Sequence, residues 1–359
     1  MTTPLADSML SAVRLRNHLD ATIEWLIRAQ RSNGGFSGYY SIFKGWSLPY
    51  PETTGYIIET LLKYSSIDSS KNWADIVFRA GEWLLTVELR EGGFPAGFGT
   101  EKTPRIFNTG MILFGLSSLY KLSKDDRYRQ AGLRTISWLR ANQNDDGSWI
   151  IASPGGNPHA YQSRVAWGIL EMSRALDVAE SYLPTIHRAN DWVVAQQDSD
   201  GWFRNNDLIH GLPPLTHNIA YTVRGLLECS IVLRRDAWMD SAIRAAHAVY
   251  LDWKSSGELP AGYWSGWKRG PSFRCVTGDA QFGGIWFRMW QITGEKFWLE
   301  AATGIAQQVA HTQKLKHFLS GVKGGVPGAS PIWGRYLRFG YPNWAAKFFA
   351  DLLMFLMDV

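Results

Sequence analysis

The sequence predicts an all-α chain whose six helical hairpins close into a ring of inner helices surrounded by outer ones, as one domain over residues 1–359. Three observations carry this. A phrase repeats: Trp138-Leu139 leads through Gln143 to Asp146-Gly147-Ser148-Trp149. Its copies are Trp25-Leu26, Gln30 and Gly34-Gly35-Phe36; Trp83-Leu84 and Gly92-Gly93-Phe94; and Trp192-Val193, Gln197 and Asp200-Gly201-Trp202. Amphipathic and more apolar segments alternate to the end of the chain. Glycine recurs inside the apolar segments, at Gly115, Gly168, Gly225 and Gly284, despite a helix penalty of roughly 1 kcal/mol; close packing of neighbouring inner helices accounts for it.

Within each phrase the tryptophan and the apolar residue after it lie one to two turns before a helix end, where they pack on a neighbouring helix. Glycine then ends the helix, because the left-handed backbone costs it little. The Asp or Asn before it tolerates the same turn, and the aromatic after it folds back onto the last turn.

Residues 14–30 place apolar side chains at helical spacing between charges, which is an outer helix. An aromatic loop follows with Tyr39, Tyr40, Phe43, Trp46 and Tyr50, and Pro51-Glu52-Thr53-Thr54-Gly55-Tyr56 opens an apolar inner helix to Tyr64. Later outer segments begin near Trp73, Arg127, Tyr182, Trp238 and Phe297, and inner ones near Phe107, Tyr161, His217, Val276 and Asn343. Thr54-Gly55, Thr109-Gly110 and Thr277-Gly278 mark equivalent points. The last segment, Trp344 to Met357, is apolar nearly all round apart from Lys347 and Asp351, as suits an inner helix that closes the ring.

A chain of 359 residues, 45% hydrophobic and 19% charged, can bury a large core. Cys229 and Cys275 have neither CxxC spacing nor a disulfide framework, so both are expected as free thiols in a reducing compartment, without structural zinc. Residues 1–30 lack the apolar run and small-residue cleavage site of a secretory signal, and no stretch of some 18 apolar residues is present. A soluble, cytoplasmic protein is the expectation. The net charge of +5 leans towards anionic partners, but no basic run of the kind that tracks nucleic acid occurs, so a glycan or acidic oligosaccharide is the expected partner. No P-loop, dinucleotide loop, zinc-protease helix or nucleophile elbow is visible, and no metal or cofactor is expected.

The repeat architecture, and the stretch from Gln143 to Trp149, resemble the α/α-toroid enzymes. These include polysaccharide lyases, uronyl C5-epimerases and glycosidases, and also terpenoid cyclases and protein prenyltransferases. The resemblance implies an (α/α)6 toroid. In the triterpene cyclases the Q-x-x-x-G-x-W repeat is structural, so it says little about chemistry. The chain has no D-x-D-D or D-D-x-x-D motif in a helix, against a cyclase, and no Asp, Cys and His zinc set, against a prenyltransferase.

In such a ring the loops entering the inner helices gather at one mouth, and the helix N-termini point partial positive charge at whatever binds there. His217, Tyr221 and Arg224 fall at i, i+4 and i+7, on one helix face, with Asn218 beside them. Two accounts fit this stripe: a catalytic one, and one in which Arg224 pairs with Glu228 and His217 begins the helix. Glu52 and Asp279 are the carboxylates best placed for acid or base work, or for stabilising a first helical turn. Trp46, Tyr161, Arg164, Trp333, Arg335, Tyr336 and Tyr341 are the candidates for binding substrate, by stacking or by pairing with a carboxylate.

The resemblance to toroidal lyases and epimerases implies that Asn218 and Arg224 neutralise a uronate carboxylate while Tyr221 and His217 move the neighbouring proton. Three alternatives stand beside it. One is a glycoside hydrolase using Glu52 and Asp279. Another is a terpenoid cyclase or prenyltransferase-like toroid. The third is a toroid that binds glycans without catalysis.

Overall fold

A computed structural model describes residues 12–98 and 102–358. Among them twelve long helices run in hairpins, outer then inner: α1 (Ala12–Ala29) with α2 (Pro51–Ser65), α3 (Trp73–Val87) with α4 (Ile106–Ser123), and α5 (Asp126–Ala141) with α6 (Ser163–Ala175). Then come α7 (Leu183–Ala195) with α8 (Thr216–Leu233), α9 (Asp236–Ser256) with α10 (Val276–Thr293), and α11 (Lys296–Thr312) with α12 (Asn343–Met357). The outer helices bury one stripe, as α1 does with Leu15, Leu19, Ile23 and Leu26. The inner ones are buried nearly all round, as α10 is without a break from Val276 to Phe287. Each inner helix packs on the next, and α12 packs on α2, which closes the ring.

The repeated phrase is a brace between outer helices. Gln143 donates through Nε2 to the Gly147 carbonyl of its own turn at 3.0 Å and to the Thr185 carbonyl of α7 at 2.9 Å. Gln30 and Gln197 do the same with Gly34 and Ile76, and with Gly201 and Ser241. In the second copy Glu88 replaces the glutamine and takes Arg134 of α5 at 2.6 Å. A side chain on Gly147, whose φ is +94°, would come within 2.2 Å of the Arg188 carbonyl on the next outer helix. These are two reasons why the turn needs glycine. Gln143→Leu, which leaves two carbonyls short of a donor, should lower stability by about 1–3 kcal/mol in chemical denaturation.

The inner glycines behave as expected at three of the four positions. A Cβ would stand 2.4 Å from the Gly55 carbonyl at Gly115, 2.4 Å from the Gly110 carbonyl at Gly168 and 2.4 Å from Ser163 backbone at Gly225. Gly284 differs. A side chain there would meet Arg224 Nη1 at 3.5 Å and Phe355 at 3.8 Å, so helix packing does not explain it. Thr54 and Thr109 accept the backbone N–H of Phe36 and Phe94, tying each inner helix to the preceding glycine turn.

The ends of the ring are clasped by a small antiparallel sheet. Tyr39–Ser41 pairs with Gly45–Trp46 on one side and with Gly340–Pro342 on the other, Tyr40 opposite Tyr341. Asn343, first residue of α12, donates to the Ser37 carbonyl and the Thr53 hydroxyl, both at 2.8 Å. Cys229 and Cys275 are buried free thiols. Among the described residues no helix is long and apolar enough to cross a membrane.

Candidate functional site

The first turns of the inner helices open into a cleft of about 520 Å³. From α2 comes Glu52, from α4 Phe107 and Asn108, from α8 His217, Asn218 and Tyr221, and from α12 Trp344; the entering loops add Tyr50, Arg105, Tyr161, Leu208 and Tyr336. Tyr50 owes its place to Pro51, which holds the residue before it extended, at φ −118° and ψ 113°. Its phenol turns back onto the first turn of α2.

The walls form a nearly continuous aromatic belt. Tyr50 lies edge-on to Trp344 at 6.2 Å, and Trp344 Nε1 donates to the Tyr336 hydroxyl at 2.8 Å. Tyr336 neighbours His217 at 5.2 Å, and His217 neighbours Tyr221 at 5.4 Å. Phe107 sits against Tyr221 at 4.9 Å and Tyr161 at 5.2 Å. Three buried polar atoms of the lining, Tyr161 Oη, His217 Nδ1 and Asn218 Oδ1, have no hydrogen-bond partner. Buried polar groups are rarely left so, and here they are available to a bound molecule.

Among the described residues, Glu52 is the single carboxylate of the lining. It accepts a 2.7 Å hydrogen bond from the Tyr50 hydroxyl, which Asn108 Nδ2 approaches at 3.4 Å. Burial pushes its pKa up to about 7, against the pull of the Tyr50 hydroxyl and the charge of Arg164. A carboxyl in this range exchanges its proton near neutral pH, as acid or as base. His217 is pushed the other way, down to about 3, by burial, so its ring is neutral. Tyr221 is raised above the ordinary phenol value, first by burial and then by the charge of Glu52.

Several expected placements differ. Arg224 does not reach the cleft. Its Nε pairs with Glu228 Oε1 at 2.7 Å, one turn along α8, and Arg288 takes the same carboxylate. The i, i+4, i+7 stripe therefore divides: His217, Asn218 and Tyr221 face the cleft, while Arg224 faces a second cavity deeper in the ring. With Arg224 turned away from the cleft and Tyr221 shifted upwards, the proton-moving role that the resemblance implied for Tyr221 has no support as a base. The neutral His217 likewise holds no imidazolium proton to give. Asp279 is wholly buried against Arg274, at 2.6 Å, and does not line the cleft with Glu52.

Of the binding candidates, Tyr161 and Tyr336 line the cleft. Arg164 lies behind Tyr221, its guanidinium 5.2 Å from that ring. Trp46 packs on Trp25 at 5.0 Å, Tyr341 is buried in the clasping sheet, and Trp333 and Arg335 are exposed. Tyr50, Arg105, Phe107 and Trp344 were not anticipated. All four lie within a few residues of an inner-helix start, the position that had already singled out Glu52 and Asn218.

No family model matches the chain. It is similar to a probable squalene–hopene cyclase of Sinorhizobium fredii, 22% identical over 246 residues, covering 62% of this chain and 37% of the cyclase. The chain thus spans well under half the length of that relative. Among solved structures it superposes on a cellobiose 2-epimerase from Bacillus thermoamylovorans, with TM-score 0.75, 12% identity, and coverage of 97% of this chain and 99% of that one. A heparin-specific unsaturated glucuronyl hydrolase gives TM-score 0.73 and 13% identity, covering 96% and 97%. A D-mannose isomerase gives 0.74 and 10%, covering 98% and 99%. At these identities the likeness is one of fold. The chain is an α/α toroid.

Proposed function

We propose that the mouth cleft binds a sugar or oligosaccharide and that Glu52 moves a proton at a carbon next to its carbonyl or carboxylate group. Epimerisation, isomerisation or elimination would follow. The observation that carries this is Glu52 itself, a lone buried carboxyl held near 7 with the Tyr50 hydroxyl 2.7 Å away. As carboxylate it takes the proton. The charge then developing on the substrate oxygen meets neutral donors, the Asn218 amide, the Tyr221 hydroxyl and the N–H of the uncharged His217. The aromatic belt offers faces on which a sugar ring stacks. The epimerase, the isomerase and the glucuronyl hydrolase among the superposed structures are by name enzymes of sugars, which supports the same substrate class here.

A uronate is the acidic version of this substrate, and Arg105, which donates to the Ser153 carbonyl at 3.5 Å, is the arginine lining the cleft that would meet its carboxylate. Cleavage by a pair of carboxylates is less well supported, because Asp279 lies outside the cleft. The test is a screen of neutral and acidic oligosaccharides in D2O, followed by proton exchange and by ultraviolet absorbance for a new double bond. Exchange without absorbance identifies epimerase or isomerase chemistry, and absorbance identifies elimination. Release of sugars with neither would contradict the proposal. Tyr50→Phe, which removes the hydrogen bond that lowers the Glu52 value, should move the acidic limb of the pH–rate profile to higher pH.

A second account rests on the squalene–hopene cyclase likeness, with Glu52 protonating an olefin in the aromatic-lined cleft. Turnover of a polyprenyl substrate, lost in Glu52→Gln, would establish it in place of the sugar.

A further inference from the structure

Beneath the cleft the ring holds a second cavity of about 210 Å³, open to solvent beside the half-exposed Lys63 and far larger than the roughly 10–15 Å³ that admits one water. Tyr221 of the cleft packs at 5.8 Å on Phe348, which lines the second cavity. Five cationic side chains and three carboxylates line the lower one. Lys63 pairs with Glu59 at 2.9 Å and Lys347 with Asp351 at 2.5 Å, while Arg224 and Arg288 share Glu228. Arg164 has no carboxylate within ion-pair distance among the described residues, so two positive charges stand unmatched.

Arg164 is 3% exposed and its Nε has no hydrogen-bond partner. Four aromatic rings surround the guanidinium at 4.9–5.4 Å, and none of them supplies a full negative charge. Lys63 lies in the last turn of α2, but Arg164 is the second residue of α6 and Lys347 the fifth of α12, so neither of these is matched by the C-terminal carbonyls of its own helix. Gly284, unexplained by packing, keeps the space beside Arg224 open.

We propose that this lower cavity is an anion site for a small free oxyanion of the phosphate or sulfate class, held by Arg164 and Arg224 with Lys347. Arg224 spends its Nε on Glu228, and Lys347 makes one bond to Asp351, so both retain N–H donors for the ion. A bound anion would offset the cost that burial and the neighbouring Arg224 place on the Arg164 charge.

The test is thermal unfolding of the full chain in inorganic phosphate and in chloride at equal pH and ionic strength. Phosphate should raise Tm by several degrees with a saturating concentration dependence, and chloride should not. The saturating rise should vanish in Arg164→Gln, whereas a general stabilising effect of phosphate on the protein surface would persist there. Should Arg164→Gln not fold, Arg224→Gln is read instead, together with calorimetric titration of the wild type with phosphate, where one site per chain is expected. No saturating rise and no heat of binding would overturn the proposal, as would a rise unchanged in the variant. Glu52→Gln should keep the phosphate response, so failure of the sugar assignment leaves this one separately testable.

Discussion

Glu52→Gln should lower turnover of the sugar substrate by roughly 10²–10⁴-fold, the usual share of a positioned acid or base, with little change in binding. The amide keeps the shape and the hydrogen bond from Tyr50 but exchanges no proton. The same change should stabilise the protein, and the sign follows from the raised value. Below the ordinary carboxylate range Glu52 is protonated folded and unfolded, so it costs nothing. As pH rises towards about 7 the unfolded chain has given up the proton while the folded one retains it, and stability falls across that window. Above it the cost is constant, about 3 kcal/mol for a shift of this size. Urea unfolding should therefore show Glu52→Gln gaining on the wild type from pH 5 to pH 8. Stability curves that run parallel over that range would mean that Glu52 is not held near 7.

Gly115→Val should be the most damaging single change in the ring, costing about 4 kcal/mol or more and abolishing a folded chain at 37 °C if the protein is marginally stable. Its Cβ would lie 2.4 Å from the Gly55 carbonyl, a backbone atom of a helix packed so closely on α4 that a Cβ at Gly55 would in turn stand 2.5 Å from Ile112 Cα. Neither side has a flexible side chain to move aside. Gly284→Ala, by contrast, meets no atom closer than 3.5 Å and should stabilise by up to about 1 kcal/mol through helix propensity, which separates packing from propensity in circular dichroism melts.

The fold was legible because its signals are local and repeated. Gln30, Gln143 and Gln197 stand at one spacing from a glycine, and each bridges to the next outer helix, so a single brace appears three times in the sequence. The mouth was legible in part for the same reason. His217, Asn218 and Glu52 lie in first turns, and the rule that inner-helix entries converge brings them together. Arg224 escaped the rule because a long side chain two turns into a helix can reach either end of the ring, and Glu228 one turn further on decided the direction. Trp46 and Tyr341 were misplaced for a different reason: the clasping sheet that absorbs them joins residues some 300 positions apart, and no local pattern announces that pairing. Asp279 shares the first-turn position of Glu52, yet Arg274 in the preceding loop takes it out of the cleft.

The central claim is that Glu52 carries the proton at a sugar carbon in the mouth cleft. It is tested most directly by following deuterium incorporation from D2O into the substrate sugar by nuclear magnetic resonance, for the wild type and Glu52→Gln across pH 5 to 9. The account predicts incorporation by the wild type with a midpoint near pH 7, and a rate at least 100-fold lower in the variant on the plateau above that midpoint, the gap closing towards pH 5 as Glu52 takes up its proton. Incorporation by Glu52→Gln at the wild-type rate on that plateau would contradict it.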